Sequence, residues 1–440
     1  MTNKIMLQLV GQSACGPISG TLIFPDAPVA AAPPPPEQEG EPGANTPPPL
    51  VELEANAPPV ELAQAGECVL QLDVAGFGIL KQPLRVDLES NAGAVVFNGP
   101  KLNGLRLVRT RVKDAMSKVQ SGWLYKIDCQ FGYPRELVLV AGADTSHKGT
   151  DFYLFADTRR IDQMYKRYAT HDDLADDNTI VTQFHFETGE RFTYMLCDKS
   201  QESELKPNDR WMVVDHQDYG RSEVEKQSPF GLSITDVYKW ITAAGVAQPG
   251  RVVELSFFAH GFSGGPVLVN TEDQTKGDLR DPNDHDGREK DFHDLNMDVA
   301  AFRRAFRKDV SFCFNAGCNF DPRGLKIAEV VIQRRPRRPD KLFRVEEDRL
   351  TWDECRDEMQ EELEENYSAA LANAIDRPVW GAGPGNGARV FSEQTGGRTR
   401  HYHKITTWHT ITRAAMKEFQ LKKNRFWYLR YLPVASVPAP

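Results

Sequence analysis

No apolar run in the chain approaches the roughly 18–20 residues that a helix needs to cross a bilayer. The start, MTNKIMLQLVGQSACG, lacks the long apolar stretch of a secretory signal. The sequence therefore predicts a soluble protein made in a cytoplasm, with any export by a route that needs no cleaved leader. Surplus positive charge is absent as well. A formal net charge of −9 argues against a general nucleic-acid binder, which needs Lys and Arg for phosphate contacts. Two basic stretches, Arg334–Arg338 and Lys422–Arg430, read as solvated surface. Cysteine is sparse: the seven, at positions 15, 68, 129, 197, 313, 318 and 355, are odd in number, scattered and without CxxC spacing. That excludes a disulfide scaffold and a zinc ribbon, and leaves room for one chemically special thiol.

What is present is a substantial core. Hydrophobic residues make up 40% of the chain, with seven Trp and 23 Phe, which excludes a fully disordered protein. The chain's 440 residues exceed one compact core, since domains hold about 100–150 residues. Residues 1–24 read as strands, Ile5–Val10 and Thr21–Phe24, around a Gly-rich turn. From Pro25 to Pro59 there are 12 prolines. Proline fixes φ and removes a donor, so residues 25–63 are predicted to be an extended, mobile tether. Short alternating segments at Cys68–Val74, Leu84–Leu88, Ala94–Phe97 and Leu105–Val108 predict a small antiparallel β domain over 64–132, which the first strand can join across the tether. A docking role is all that this part suggests.

From residue 133 to 440 the pattern becomes α/β. Buried-type strands are expected at Glu136–Gly142, Thr179–Phe186, Val252–Ala259 and Val310–Asn315, with a short one at Arg377–Trp380. Helical faces lie between them: Ile161, Met164, Tyr165 and Tyr168; Ile234, Val237, Tyr238 and Ile241 behind a Ser233 cap; Leu295, Val299, Phe302 and Phe306; and one long run from Trp352 through Cys355, Met359, Leu363 and Tyr367 to Leu371. This alternation implies a mostly parallel sheet with helices on both faces, and in such sheets ligand chemistry sits past the carboxyl ends of the strands.

Two strand ends carry chemistry. One is Ala259-His260-Gly261-Phe262-Ser263-Gly264-Gly265-Pro266, the other Asn315-Ala316-Gly317-Cys318-Asn319. A thiol handed a base becomes a strong nucleophile, and histidine is its usual partner. The N–H groups of Gly261 and Cys318 could hold a developing oxyanion. This arrangement resembles the caspase-like cysteine peptidases, in which one apolar strand ends in His-Gly and the next core strand in a small residue plus Cys. The resemblance spans roughly residues 133–390 and implies a caspase-like fold with His260 as base, Cys318 as nucleophile and Gly261, Gly317, Gly264, Gly265 and Asn319 around the pocket. Pro378-Val-Trp-Gly-Ala-Gly-Pro-Gly-Asn-Gly387 resembles the strand and loop that follow the catalytic helix in bacterial members, with Trp380 and Gly381 walling the pocket. The string His-Gly-x-x-Gly-Gly-Pro with a later Gly-Cys also resembles uncharacterised proteins of type VI secretion loci. That implies an antibacterial effector or toxin, delivered without a signal peptide, with a protein substrate and a secretion-apparatus or immunity-protein partner.

Rival readings stand beside this one. Cys318 alone could be a small buried hydrophobe, as Cys313 is expected to be. Gly261-Phe-Ser-Gly-Gly265 satisfies G-x-S-x-G, making Ser263 an alternative nucleophile of an esterase or lipase, although Gly265–Asn270 reads as extended where an elbow needs a helix. A third reading makes the domain a non-catalytic adaptor. The acidic insertion Asp278–Asp294 lacks EF-hand order and reads as a solvated loop. His401-Tyr402-His403 with His409 is too open for a zinc site, so neither metal nor cofactor is predicted.

Overall fold

The computed structural model describes residues 4–13, 15–25, 50–88, 94–99, 101–102, 104–113, 120–145, 149–169, 179–196, 211–220, 231–271, 281, 283–294, 297–308, 311–319, 321–333, 341–395, 397–406 and 409–434. The basic run 334–338, most of the proline-rich segment, Leu295 and the side chains of Met164, Tyr165 and Tyr168 lie outside that set. The chain divides into two compact units: residues 1–134 with 172–180 and 193–215, and residues 135–171 with 181–192 and 216–440.

The first unit is built from two sheets. Lys4–Ser13 pairs in parallel with Gln120–Phe131 and antiparallel with Val60–Glu61, while Ile18–Ile23 lies between Leu50–Glu54 and Gly66–Val74. The N-terminal strands thus join ladders on the far side of the proline-rich segment. Residues 50–54 and 60–61 are strand, which corrects the expectation of tether as far as residue 63. Pro58 and Pro59 fall just outside the paired residues, where a missing N–H breaks no ladder. Alternate residues of both sheets, among them Leu7, Leu9, Leu22, Leu70, Leu72, Leu84 and Ile127, fill one core. The Lys4–Ser13 pairing makes the unit mixed rather than purely antiparallel.

The second architecture is a mixed α/β sheet of eight strands. Their order is Trp211–Asp218, Glu190–Leu196, Thr179–His185, Arg135–Ala141, Val252–Phe258, Phe312–Asn315, Val379–Gly381 and Leu429–Tyr431. The four consecutive strands from Arg135–Ala141 to Val379–Gly381 are parallel, and Leu429–Tyr431 closes the edge antiparallel. Part of the basic tail is therefore an edge strand, not the solvated surface expected for Lys422–Arg430. In chain order the sheet grows outward on one side from Arg135–Ala141, then returns to Val252–Phe258 and grows outward on the other. In sheets of this kind a ligand crevice is expected where the winding reverses, beyond the carboxyl ends of these two neighbours.

Alternation along the central strands assigns the two faces. Leu255, Phe257, Cys313 and Val379 pack with residues of helices Ile234–Ala247, Val299–Ala305 and Tyr367–Ile375. Complete burial of a side chain such as Phe257 contributes about 1.5–3 kcal/mol. Glu254, Phe258, Phe312, Phe314 and Trp380 line the opposite side, where helix Tyr153–Ala169 and the hairpin Ala388–Thr395/Arg398–Ile405 pack. Ser233 caps its helix through a capping box with Asp236, and the face Ile234, Val237, Tyr238 and Ile241 is buried as the sequence predicts. The long helix expected from Trp352 to Leu371 is instead two, Trp352–Glu365 and Tyr367–Ile375. Asn366 takes an extended conformation there, and its side chain accepts from the N–H groups of Ser368 and Ala369. An internal Asn offered as an N-cap outweighed the continuous apolar spacing.

Candidate active site

Beyond Phe258 the chain passes through Ala259 into His260–Phe262, which folds back antiparallel on Gly265–Val267. Beyond Asn315 it passes through Ala316 and Gly317 to Cys318. The parent strands are parallel neighbours with Phe257 opposite Asn315, and the Ala316 N–H donates to the Phe257 carbonyl at 3.0 Å. The two run-outs leave the sheet side by side. A Cβ on Gly261 would stand 2.6 Å from the Cys318 carbonyl oxygen, and one on Gly317 would stand 3.1 Å from that of His260. The approach of the two backbones thus requires glycine at position 261 and leaves little room for a Cβ at position 317. The His-Gly and Gly-Cys strings are the two halves of one contact.

The imidazole has a partner that the sequence reading missed. Asp144 lies three residues past the Arg135–Ala141 strand, on the other side of the crevice, and its Oδ1 is 3.2 Å from His260 Nε2. The carboxylate is 12% exposed and the ring 33%. The second carboxylate oxygen accepts from the Thr150 N–H at 2.9 Å, which fixes the group that fixes the histidine. Gly142 and Ala143 donate to the Phe258 and Leu268 carbonyls, tying this loop to the His260 hairpin. Phe152 meets the imidazole edge-on at 5.1 Å. The rule that examines strand ends applies equally to Arg135–Ala141, and would have turned up Asp144.

Cys318 is half-buried, as is Cys15; the other described cysteines, 68, 129, 313 and 355, are buried. The Cys318 sulfur accepts from the Ala388 N–H at 3.2 Å and faces the Ala388 carbonyl at 3.8 Å. No hydrogen bond joins it to His260 among the described residues. Burial pushes the thiol above its ordinary pKa, partly offset by the Ala388 N–H. Its loop is braced from two sides: the Tyr428 hydroxyl donates to the Ala316 carbonyl at 2.5 Å, and the Asn319 N–H and side chain donate to the Asn386 and Ala382 carbonyls. Ala388 and Tyr428 carried no signal in the sequence, because backbone donors and distant aromatic hydroxyls leave no motif.

The remaining predicted residues divide by position. Ser263 and Gly264 form the tip of the tight His260–Val267 hairpin, an extended return as the sequence suggests, and a geometry unlike the strand-to-helix turn of a nucleophile elbow. Gly265, at φ 145°, lies so close to the Gly287 carbonyl that a Cβ would overlap it. Gly381 packs against Ser368. Trp380 lines a separate cavity under the Ala388–Ile405 hairpin whose lining includes neither His260 nor Cys318. His403 is buried, and His401 bonds Ser392; the His409 side chain lies outside the described residues.

The acidic insertion, described at 281 and 283–294, departs from the solvated loop expected of it. Asp281, Asp284, Asp286 and Asp291 are all buried. Asp286 accepts from four consecutive backbone N–H groups, those of Leu268, Val269, Asn270 and Thr271. Asp284 accepts from Arg288 and Thr271, and Asp291 from Tyr238. The carboxylates replace water with donors of the segment following the hairpin, which is why so polar a sequence can be internal. Among the described residues no group of three His, Cys, Asp or Glu is placed to hold a metal ion. No described helix is long and apolar enough to cross a membrane.

No protein-family model and no curated protein matches the chain. Among solved structures, it is similar to a secreted C11 cysteine protease from Bacteroides thetaiotaomicron in complex with an irreversible peptide inhibitor, at 17% identity and a TM-score of 0.21 over 46% of each chain. It is also similar to the pilus adhesin of Streptococcus pneumoniae, at 10% identity and a TM-score of 0.17 over 62% of this chain and 44% of the adhesin. The chain thus spans less than half the length of either. At these TM-scores neither likeness carries an argument about fold or activity, and nothing in them bears on export, toxicity or a secretion apparatus.

Proposed function

We propose that the chain is a cysteine hydrolase of the peptidase type, with Cys318 as nucleophile, His260 as base and Asp144 holding the imidazole. The observation that carries this reading is the side-by-side exit of two parallel strands, which sets the His260–Gly261 backbone against Gly317–Cys318 while a carboxylate from the third strand engages the ring. With Nε2–H donated to Asp144, Nδ1 carries the lone pair. It takes the Cys318 proton once the thiol turns from Ala388 toward the ring. Because burial favours the neutral thiol, the base acts as the nucleophile forms, not on a stored thiolate. The thiolate adds to the substrate carbonyl carbon, and the oxygen gains charge beside the N–H groups of Gly261 and Cys318. When the carbon–nitrogen bond breaks, His260 returns its proton to the leaving amine. Water then gives a proton to His260 and adds to the thioester; as the carbon–sulfur bond breaks the acid is released and the Cys318 sulfur takes back the His260 proton.

The test is competitive alkylation of the intact chain with iodoacetamide at neutral pH, followed by peptide mapping. Cys318 should be modified ahead of the other six cysteines, and His260→Ala should slow it selectively. If Cys318 reacts no faster than half-exposed Cys15, or is indifferent to His260→Ala, the assignment is wrong.

A further inference from the structure

We propose that the cavity between the central sheet and the Ala388–Ile405 hairpin is a binding site for a small aromatic monoanion. The cavity encloses about 580 Å³, within the roughly 300–1,000 Å³ typical of small-molecule sites. It shares no lining residue with the Asp144–His260–Cys318 constellation, so the proposal stands independently of that reading. Six aromatic side chains, Phe155, Phe258, Phe312, Phe314, Trp380 and Phe426, supply ring faces and edges on its walls. Such surfaces favour a flat aromatic body through offset or edge-on contact.

Charge on the walls sets the sign of the ligand. Arg159 engages Glu254 through two nitrogens, and Asp162 is shared by Arg400 of the lining and Arg398 outside it, so each lining carboxylate here is matched by a lining cation. Lys404 and Arg425 remain, with no carboxylate partner among the described residues, against the single further carboxylate Glu393. The balance is one positive charge, which matches a monoanion. The interior adds a polar feature of its own. His403 is 5% exposed and stacks on Phe155 with ring centroids 4.5 Å apart, yet its Nδ1 has no hydrogen-bond partner. Burial pushes its pKa down to about 3, so the ring is neutral at physiological pH. A buried nitrogen without a partner is uncommon in a settled core, and a ligand polar group would satisfy it.

The experiment is a fluorescence titration of the full chain with 8-anilinonaphthalene-1-sulfonate, an aromatic monoanion, checked by calorimetry for stoichiometry. Saturable binding at one site is expected. The double substitution Lys404→Glu with Arg425→Glu should weaken it at least tenfold, Glu393→Gln should tighten it, and Cys318→Ala should leave it unchanged. Uncharged N-phenyl-1-naphthylamine should bind at least tenfold more weakly than the sulfonate. Lys404 is half-buried and Arg425 exposed, and circular dichroism melts establish that the variants fold. Equal affinity of the double variant and the parent chain, or of the charged and uncharged dyes, overturns the proposal.

Discussion

The loop 281–291 and the His260–Cys318 crevice both follow the Val252–Phe258 strand and both are rich in polar groups, yet they behave oppositely. In the loop Asp284 and Asp286 each meet several donors, and Asp286 alone takes four backbone N–H groups. In the crevice the groups are sparsely satisfied. The imidazole has one carboxylate and open solvent, and the thiol has one backbone amide. Full satisfaction makes a polar cluster structural, because any change leaves an orphaned group. Partial satisfaction leaves atoms able to engage a substrate. A sequence reading that attends only to residue type ranks the two the wrong way round for burial.

The contrast can be broken most forcefully at Asp286. Asp286→Ala strips the acceptor from four backbone N–H groups, three of them buried, and leaves Arg288 with Asp284 as its carboxylate partner; it should cost about 3–5 kcal/mol of stability, read as a lower urea midpoint. Stability unchanged within 1 kcal/mol, on the order of a surface substitution, would show the cluster to be dispensable. In the crevice the effects should fall on reactivity instead. Cys318→Ala should abolish hydrolysis of a quenched-fluorescence peptide library while moving stability by less than about 1 kcal/mol. Asp144→Asn keeps the shape but weakens the hold on the imidazole, and should slow that reaction on the order of 10²-fold, chiefly in kcat; an unaltered rate would remove Asp144 from the site. Ser263→Ala, at the hairpin tip, should change neither rate nor stability, and loss of activity there would favour the serine alternative.

Acid sensitivity offers a finer comparison. The folded-state pKa of His403 is lowered from 6.5 to about 3, chiefly by burial and secondarily by His260. Above pH 6.5 the ring is neutral folded and unfolded alike, so it contributes no pH dependence. As pH falls from 6.5 toward 3 the unfolded chain takes up a proton that the folded chain refuses, and stability should decline by about 1.4 kcal/mol per pH unit from this residue. His403→Phe should flatten the melting temperature over that window relative to the parent chain. An identical slope in both proteins would mean that other groups govern acid unfolding.

Much of the framework was legible because it follows from local rules. Val252–Phe258 is buried along its whole length and reads as a near-continuous apolar run, interrupted only by Glu254 and Ser256; the Ser233 cap and the spacing of Ile234, Val237, Tyr238 and Ile241 give a helix without further context. His260 and Cys318 stand out in the sequence because each lies two or three residues past the end of an apolar strand. The features that escaped the reading depend on partners distant in the chain. The break at Asn366 depends on a side chain choosing the backbone ahead of it over helix continuity. The edge strand Leu429–Tyr431 depends on an open ladder at Val379–Gly381, and the burial of Asp284 and Asp286 on donors more than ten residues away.

The amino-acid order by itself determined the central strands and the helix behind Ser233, and which two strand ends carry an imidazole and a thiol, since periodicity, capping and glycine act over a few residues. Only the tertiary structure decided that Asp144 faces His260, that Ala388 occupies the Cys318 sulfur, that the acidic loop is internal and that aromatic side chains enclose a cavity under the C-terminal hairpin. Those outcomes are set by strand order and by which donors meet which acceptors after packing, and no local pattern encodes them.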